Sequence, residues 1–144
     1  MAIPSYVKIK KDGVELVSGL DRCQYTIKEL SRAALKDVGK LVAKRTRAKI
    51  PRVRGFARRN VQYWVRAKQE YPDLRVGYKQ GKGVRGFYAR FFETGSDTTP
   101  PLRPLYSAVS ENIDDIRRIE GQYLSAIEDE NRAFGLIDEK EELS

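Results

Sequence analysis

Residues 26–49 have the sequence TIKELSRAALKDVGKLVAKRTRAK, and this stretch decides the fold. Its apolar side chains recur every three or four residues, the period of an amphipathic helix; they are Ile27, Leu30, Ala34, Val38, Leu41 and Val42. Thr26 followed by Glu29 is a capping-box pattern, which predicts that the helix begins at Thr26. Pro51 disfavours helical backbone before it, so the helix is predicted to end near Lys49. Gly39 lies inside this helix and is small enough to let another element approach closely.

Short β-strands are predicted on both sides of this helix. Alternation over residues 6–10, an Asp12-Gly13 turn and a return strand over 14–17 indicate a hairpin, and a partly ordered arm is the alternative. Residues 61–67 and 74–78 are predicted to form a second antiparallel hairpin because they are rich in β-forming side chains.

A second long helix is predicted near the C-terminus, where Leu105, Val109 and Ile113 recur at helical spacing. The order of elements predicts an α+β fold: a small antiparallel sheet covered by two long helices, with a flexible Gly-rich loop and N- and C-terminal extensions. The predicted organisation is an N-terminal strand or arm at 1–25, a single α+β domain at 26–130 and an acidic C-terminal tail at 131–144.

Charge is unevenly distributed along the chain. Residues 1–110 carry 24 Lys and Arg against 9 Asp and Glu, a net charge of 24 − 9 = +15, whereas residues 111–144 carry 4 and 11, a net charge of 4 − 11 = −7. A basic body with an acidic tail can bind a polyanion, or copies of itself head to tail.

The missing residue types exclude several function classes. The chain has no His and one Cys, Cys23, so Ser-His and Cys-His nucleophile pairs and a disulfide framework are excluded. We therefore expect no enzyme activity, no cofactor and no metal. No apolar run approaches the ~18 residues of a membrane span, so no membrane partner is expected.

The most basic segment is 38–69, which contains eleven Lys and Arg and no acid. Such unbalanced charge calls for a partner of opposite sign: DNA phosphates or the acidic surface of a neighbouring subunit, with a solvated basic face as the third interpretation. The GKGVRG sequence at 81–86 is interpreted as a flexible loop, because no βαβ unit surrounds it. The predicted contact residues are Arg45, Arg47, Lys49, Arg52, Arg54, Arg58, Arg59, Lys79, Lys82 and Arg85.

Motifs in the second half of the chain resemble a known family. They are YARFFETGS at 88–96 and PPLRPL at 100–105, preceded by a helix ending in Ala48-Lys49-Ile50-Pro51 and a basic loop with Arg54-Gly55. Together they are similar to the head–tail joining family of long-tailed bacteriophages, the small neck or tail-completion proteins. The resemblance covers about residues 26–118. Ser96 departs from it, because the family has Thr at that place.

The resemblance implies a structural virion protein that forms a ring at the head-to-tail interface, around the DNA channel. The ring is expected to be a hexamer, or alternatively a dodecamer, assembled in the host cytoplasm and located in the virion neck. Its partners would be a connector, adaptor or head-closure protein on one side and a tail tube or tail terminator protein on the other. The alternative function is a non-specific DNA-binding module that uses residues 38–69.

The family motif itself is interpreted as structural rather than catalytic. Its aromatic side chains are expected to pack into the core, Glu93 and Gly95 to fix a turn, and the prolines to orient the last helix. The motif residues are Tyr88, Phe91, Glu93, Gly95, Pro101 and Pro104.

Overall fold

The computed structural model describes residues 3–51, 56–66, 68, 71–79, 83, 87–98, 100–129 and 132–137. The elements, in chain order, are β1 (Val7–Lys11), β2 (Val14–Ser18), α1 (Leu20–Lys49), α2 (Phe56–Arg59), β3 (Val61–Arg66), β4 (Asp73–Tyr78), α3 (Arg90–Thr94), α4 (Pro104–Glu111) and α5 (Ile113–Ser125). Two 3₁₀ turns lie at Phe87–Ala89 and Ala126–Glu128, and residues 132–137 are helical. The predicted α+β class is confirmed.

The long helix α1 is the central element, and it begins six residues earlier than predicted. Thr26 lies within the helix, where its hydroxyl donates to the Arg22 carbonyl at 2.9 Å instead of capping the first turn. Glu29 pairs with Arg32 at 2.8 Å, so both halves of the capping-box pattern have other partners. The helix ends at Lys49, as Pro51 predicted.

Helix α1 contributes to two buried clusters along its length. The first surrounds Leu30, with Ala33 and Tyr123 among its members. The second contains Ala43, Ile50, Ala57, Val61 and Ala89. The predicted apolar stripe is buried at Leu30, Ala34, Val38 and Val42, whereas Ile27 is 42% exposed.

The β3–β4 hairpin packs against α1 at Gly39. The strands pair antiparallel from Val61↔Tyr78 to Arg66↔Asp73. A Cβ at Gly39 would lie 2.5 Å from Cδ2 of Tyr63 and 2.9 Å from Cδ1 of Leu74, so only glycine leaves room for these side chains. The close approach predicted at Gly39 therefore comes from this hairpin.

The β1–β2 hairpin forms a separate sheet, which corrects the prediction of a single sheet. Asp12 and Gly13 both have positive φ, 52° and 79°, as in the two-residue turns that suit the twist of a hairpin. Every residue of the two strands is exposed except the half-buried Ser18.

The predicted second long helix is two helices, α4 and α5, separated at Asn112. The Asn112 side chain donates to the Ala108 carbonyl at 2.8 Å, and its backbone N–H donates to Val109 at 3.2 Å in a tighter turn. Asparagine side chains compete with the helix for backbone partners, which explains the break. The description "two long helices" is therefore wrong: α1 is the one long helix among the described residues.

Helix α5 runs antiparallel to α1. Glu111, at the end of α4, is 2.6 Å from Nζ of Lys49, and the Tyr123 hydroxyl on α5 donates to Asp37. Val109 and Ile113, which were predicted to belong to the buried stripe, are 40% and 41% exposed.

The predicted extensions are only partly described. Of the Gly-rich loop, Gly83 is described and the other residues of 80–86 lie outside the described residues. Of the predicted acidic tail, the described residues 132–137 are helical, and Ala133 and Ile137 are buried in the first cluster. None of the described helices combines the length and hydropathy needed to cross a membrane.

Candidate functional site

The segment that carries the family motif folds into a turn held by backbone hydrogen bonds. Helix α3 ends at Gly95, whose φ of 76° suits glycine and whose N–H donates to the Phe91 carbonyl at 2.7 Å. The carbonyl of Phe92 then accepts two N–H groups, from Leu102 and Arg103, each at 2.8 Å. These bonds bring the proline-containing segment back onto α3.

Glu93 connects three elements at this turn. Its Oε1 accepts the Tyr78 hydroxyl at 2.7 Å, from the end of β4, and also the backbone N–H of Leu105. Leu105 is the second residue of α4, so the carboxylate caps an otherwise unpaired donor at the positive end of that helix. Pro104 precedes it at the first helical position and is buried.

The contact with Glu93 changes the chemistry of Tyr78. Burial of the hydroxyl raises the pKa of Tyr78 above its usual range, and the neighbouring Glu93 carboxylate raises it further. The phenol therefore remains a hydrogen-bond donor. We conclude that this carboxylate–tyrosine pair is suited to holding β4, α3 and α4 together.

The aromatic side chains of the motif divide into two groups. Tyr88 and Phe92 pack against the second buried cluster. Phe91 is 38% exposed, with the Arg90 guanidinium 5.0 Å from its ring centroid, and Tyr106 is 66% exposed. The expectation that Phe91 packs into the core is therefore wrong, because α3 turns this side chain outward.

Three of the predicted contact cations form bonds within the chain. Arg47 Nη2 donates to the Val61 carbonyl at 2.7 Å, and Arg58 Nε donates to the Ile50 carbonyl at 2.8 Å. Lys49 pairs with Glu111. Arg47 and Lys49 thus tie β3 and α4, respectively, to α1, and Arg58 ties α2 to the residue that follows α1.

Arg66, which also belongs to the basic segment, pairs with an acid. Its Nε donates to Oδ1 of Asp73 at 2.6 Å, opposite it in the β3–β4 ladder. This hydrogen bond holds the pKa of the half-buried Asp73 carboxyl below its usual range.

The remaining described cations of the predicted contact set, Arg45, Arg59 and Lys79, are exposed. All three lie near the C-terminal end of α1, because Arg58 bonds to Ile50 and the Lys79 N–H donates to the Asn60 carbonyl at 2.7 Å. Lys44 is also exposed there and was missing from the prediction. Arg52, Arg54, Lys82 and Arg85 lie outside the described residues.

The exposed cations near the end of α1 can bind anions, and the hydrogen bonds of Glu93 can keep β4, α3 and α4 in a fixed arrangement. Across the described ranges, no group of three or more Cys, Asp and Glu side chains is placed to hold a metal ion. Of the two partners of Glu93, a backbone N–H was expected from the sequence, whereas the Tyr78 hydroxyl was missed because Tyr78 is fifteen residues away and no pattern links the two positions.

Comparisons with known proteins show no family for this chain. Scans against protein-family models, curated proteins and solved structures each found no match.

Proposed function

We propose that this chain is a structural virion protein that forms a ring at the head-to-tail junction of a long-tailed phage. The ring joins the portal-side connector to the tail tube, and packaged DNA passes through its centre. The observation that carries the proposal is the use of the family motif: Glu93 and Gly95 build the joint between β4, α3 and α4.

The hydrogen bonds of this joint support a structural role over a catalytic one. Oε1 of Glu93 is occupied by the Tyr78 hydroxyl and the Leu105 N–H. A general base needs access to the proton that it removes. A carboxylate that links three elements by hydrogen bonds suits a subunit that must remain rigid in an assembly.

The distribution of charge supports assembly by unlike surfaces. Arg45, Arg59 and Lys79 are exposed near one end of α1, and the sequence 111–144 has a net charge of 4 − 11 = −7. A ring requires contacts between two different patches of each subunit. A basic patch and an acidic C-terminal segment on one chain are of opposite sign, as such a pair of patches would need.

The test is assembly with and without these cations. Arg45→Glu combined with Arg59→Glu is expected to weaken ring formation or docking to a co-expressed connector or tail-tube protein, measured by light scattering and electron microscopy. Lys28→Glu is the matched control, because Lys28 is also an exposed cation of α1 but lies in its N-terminal half. A wild-type chain that stays monomeric and binds neither neck partner would contradict the proposal.

A second candidate function is non-specific DNA binding through the same exposed cations. It predicts binding that weakens steeply as salt rises, with Arg45→Glu and Arg59→Glu each reducing the salt slope by about one. Fluorescence anisotropy with a duplex at several salt concentrations measures both. Binding weaker than about 10⁻⁴ M at ~0.15 M salt would reject this function.

A further inference from the structure

The two faces of the β1–β2 hairpin differ in composition. Val7, Ile9, Val14 and Leu16 share one face, because Ile9 pairs with Leu16 and their side chains alternate with the lysines. These four side chains are 46%, 54%, 70% and 59% exposed. We call this surface the hairpin face.

A surface of this kind requires a cover. An isolated two-stranded hairpin is marginally stable in water, and an apolar patch of several neighbouring side chains marks an interaction site. No helix or strand of the described chain lies along the hairpin face, as the exposure of its residues shows.

A second exposed apolar surface lies near the C-terminal end of α1, away from the hairpin. Tyr106, Val109 and Ile113 recur at spacings of three and four across the junction of α4 and α5 and are 66%, 40% and 41% exposed, and Leu102, just before α4, is 50% exposed. We call this surface the α4 stripe. It is distinct from the side of α4 that buries Pro104 and Ala108 against the rest of the molecule.

The two surfaces cannot meet within one chain. The hairpin joins the N-terminal end of α1 through Gly19, and Arg22 lies 5.0 Å from the Tyr6 ring. The α4 stripe lies near the opposite end, where Glu111 bonds to Lys49. The 29 residue steps of α1 separate these ends by roughly 40 Å, more than twice the ~17 Å length of a five-residue strand.

The two surfaces are similar in length, and an acidic segment adjoins the second. The hairpin face from Val7 to Lys11 is ~13 Å long, and the stripe from Tyr106 to Ile113 is ~10 Å long. The hairpin segment 5–18 has three lysines and two acids, a net charge of 3 − 2 = +1. The stripe ends where the segment 111–120 begins, and that segment has two arginines and four acids, a net charge of 2 − 4 = −2, so a hairpin docked on the stripe lies beside charge of opposite sign.

We propose that the hairpin face of one copy docks on the α4 stripe of the next copy. This inference rests on the proposed function in one respect only, since it assumes that the partner is a second copy of this chain. The contact is heterologous, so every open oligomer keeps one free hairpin at one end and one free stripe at the other until the ring closes.

The experiment uses two variants of the whole chain. Leu16→Glu places a charge on the hairpin face, and Tyr106→Glu places one on the α4 stripe. Each is expected to weaken self-association about tenfold or more in sedimentation equilibrium, because a buried charge without a partner disfavours the contact. Both positions are exposed, so thermal unfolding of the monomer is expected to stay unchanged.

Matched controls keep the same chemical change away from the proposed contact. Val17→Glu lies on the opposite face of β2 and is 50% exposed in the wild type. Leu124→Glu lies on α5, about 16 Å beyond Ile113, at a position 58% exposed. Both controls are expected to associate as the wild type does.

Mixing the two variants separates this contact from a symmetric one. The intact hairpin of Tyr106→Glu can dock on the intact stripe of Leu16→Glu, so an equimolar mixture is expected to give a one-to-one dimer that cannot extend. If hairpins instead pair with hairpins, Tyr106→Glu alone still dimerises and mixing gives no gain, which overturns the inference.

The outcome also distinguishes this inference from the proposed function. Rings that form equally well from Leu16→Glu or Tyr106→Glu overturn the docking contact and leave the virion role intact. A wild-type chain that stays monomeric up to about 1 mM also overturns the contact. If the two variants associate only when mixed, and the wild-type chain binds neither neck partner, the result supports the docking contact and contradicts the virion role.

Discussion

The two β-hairpins of this protein have the same local architecture and very different surroundings. Each consists of two antiparallel strands of five or six residues. The β3–β4 hairpin packs on Gly39 of α1, donates the Tyr78 hydroxyl to Glu93 and accepts Arg47 at the Val61 carbonyl. The β1–β2 hairpin has its apolar face exposed.

This difference shows that strand pairing and burial are separate properties. Alternation and turn residues specify a hairpin, but they do not specify what covers it. Glycine at position 39 and a carboxylate at position 93 decide that β3–β4 packs against the helices. We therefore expect substitutions around β3–β4 to change stability and substitutions on β1–β2 to change association.

The largest effect is expected at Gly39. Gly39→Val would force Tyr63 and Leu74 away from α1 and reduce the free energy of unfolding by about 3 kcal/mol, measured by urea denaturation. Gly121→Ala is the matched control, because nothing lies near that glycine, and a gain of up to ~1 kcal/mol is expected from helix propensity. Equal effects at the two glycines would contradict the packing described.

The next effect is expected at Glu93. Glu93→Ala leaves the Tyr78 hydroxyl and the Leu105 N–H without their acceptor, and a loss of about 2 kcal/mol in unfolding free energy is expected. Glu93→Gln retains an acceptor oxygen and should lose less. If both variants unfold at the same urea concentration as the wild type, Glu93 does not hold the joint.

A smaller and pH-dependent effect is expected at Tyr78. Tyr78→Phe removes one hydrogen bond, at a cost of about 1 kcal/mol near neutral pH. The pKa of Tyr78 is higher in the folded state than in the unfolded state. The hydrogen bond of Tyr78 therefore contributes fully to the free energy of unfolding below the unfolded pKa of ~10, and this contribution is lost as the pH rises above that value. The stability difference between wild type and variant should therefore shrink between pH 8 and pH 11.

Urea denaturation at pH 8 and pH 11 measures this difference in unfolding free energy. The effects of other titrating groups are the same in the two proteins and cancel in the difference. Tyr106→Phe, at a 66% exposed position, is the control and should match the wild type at both. A stability difference between Tyr78→Phe and wild type that is constant with pH would show that the Tyr78 phenol titrates normally in the folded state.

The smallest effect on stability is expected on the β1–β2 hairpin. Leu16→Ala, measured at a concentration where the chain is monomeric, should change the unfolding free energy by less than about 0.5 kcal/mol. Leu74→Ala on β4 makes the same chemical change beside Gly39 and should cost about 2 kcal/mol. Similar losses at the two leucines would remove the distinction between the hairpins.

Local sequence signals predicted the elements whose boundaries depend on one or two residues. Asp12-Gly13 placed the first turn, Pro51 placed the end of α1, and Gly39 indicated a close contact. Thr26 and Glu29 misplaced the start of α1, because a capping pattern can also occur inside a helix, where both side chains find other partners.

Other features depended on contacts that are distant in the chain. The apolar periodicity continues across Asn112, so it hid the break between α4 and α5. The same periodicity assigned Val109 to the buried stripe, although it is 40% exposed. Among the predicted contact cations, no signal in the sequence marked Arg47 as a residue that bonds to the Val61 carbonyl.

The pairing of α5 with α1 has a consequence for how the chain is made. Asp37 and Tyr123, which bond to each other, are 86 residues apart. Contacts this distant form late, since the intervening chain must first be ordered. Synthesis at ~5–20 residues per second leaves Asp37 without this partner for roughly 4–17 s after it is added. Both hairpins can form during that time, so the nascent chain carries its association surface before its own core is closed.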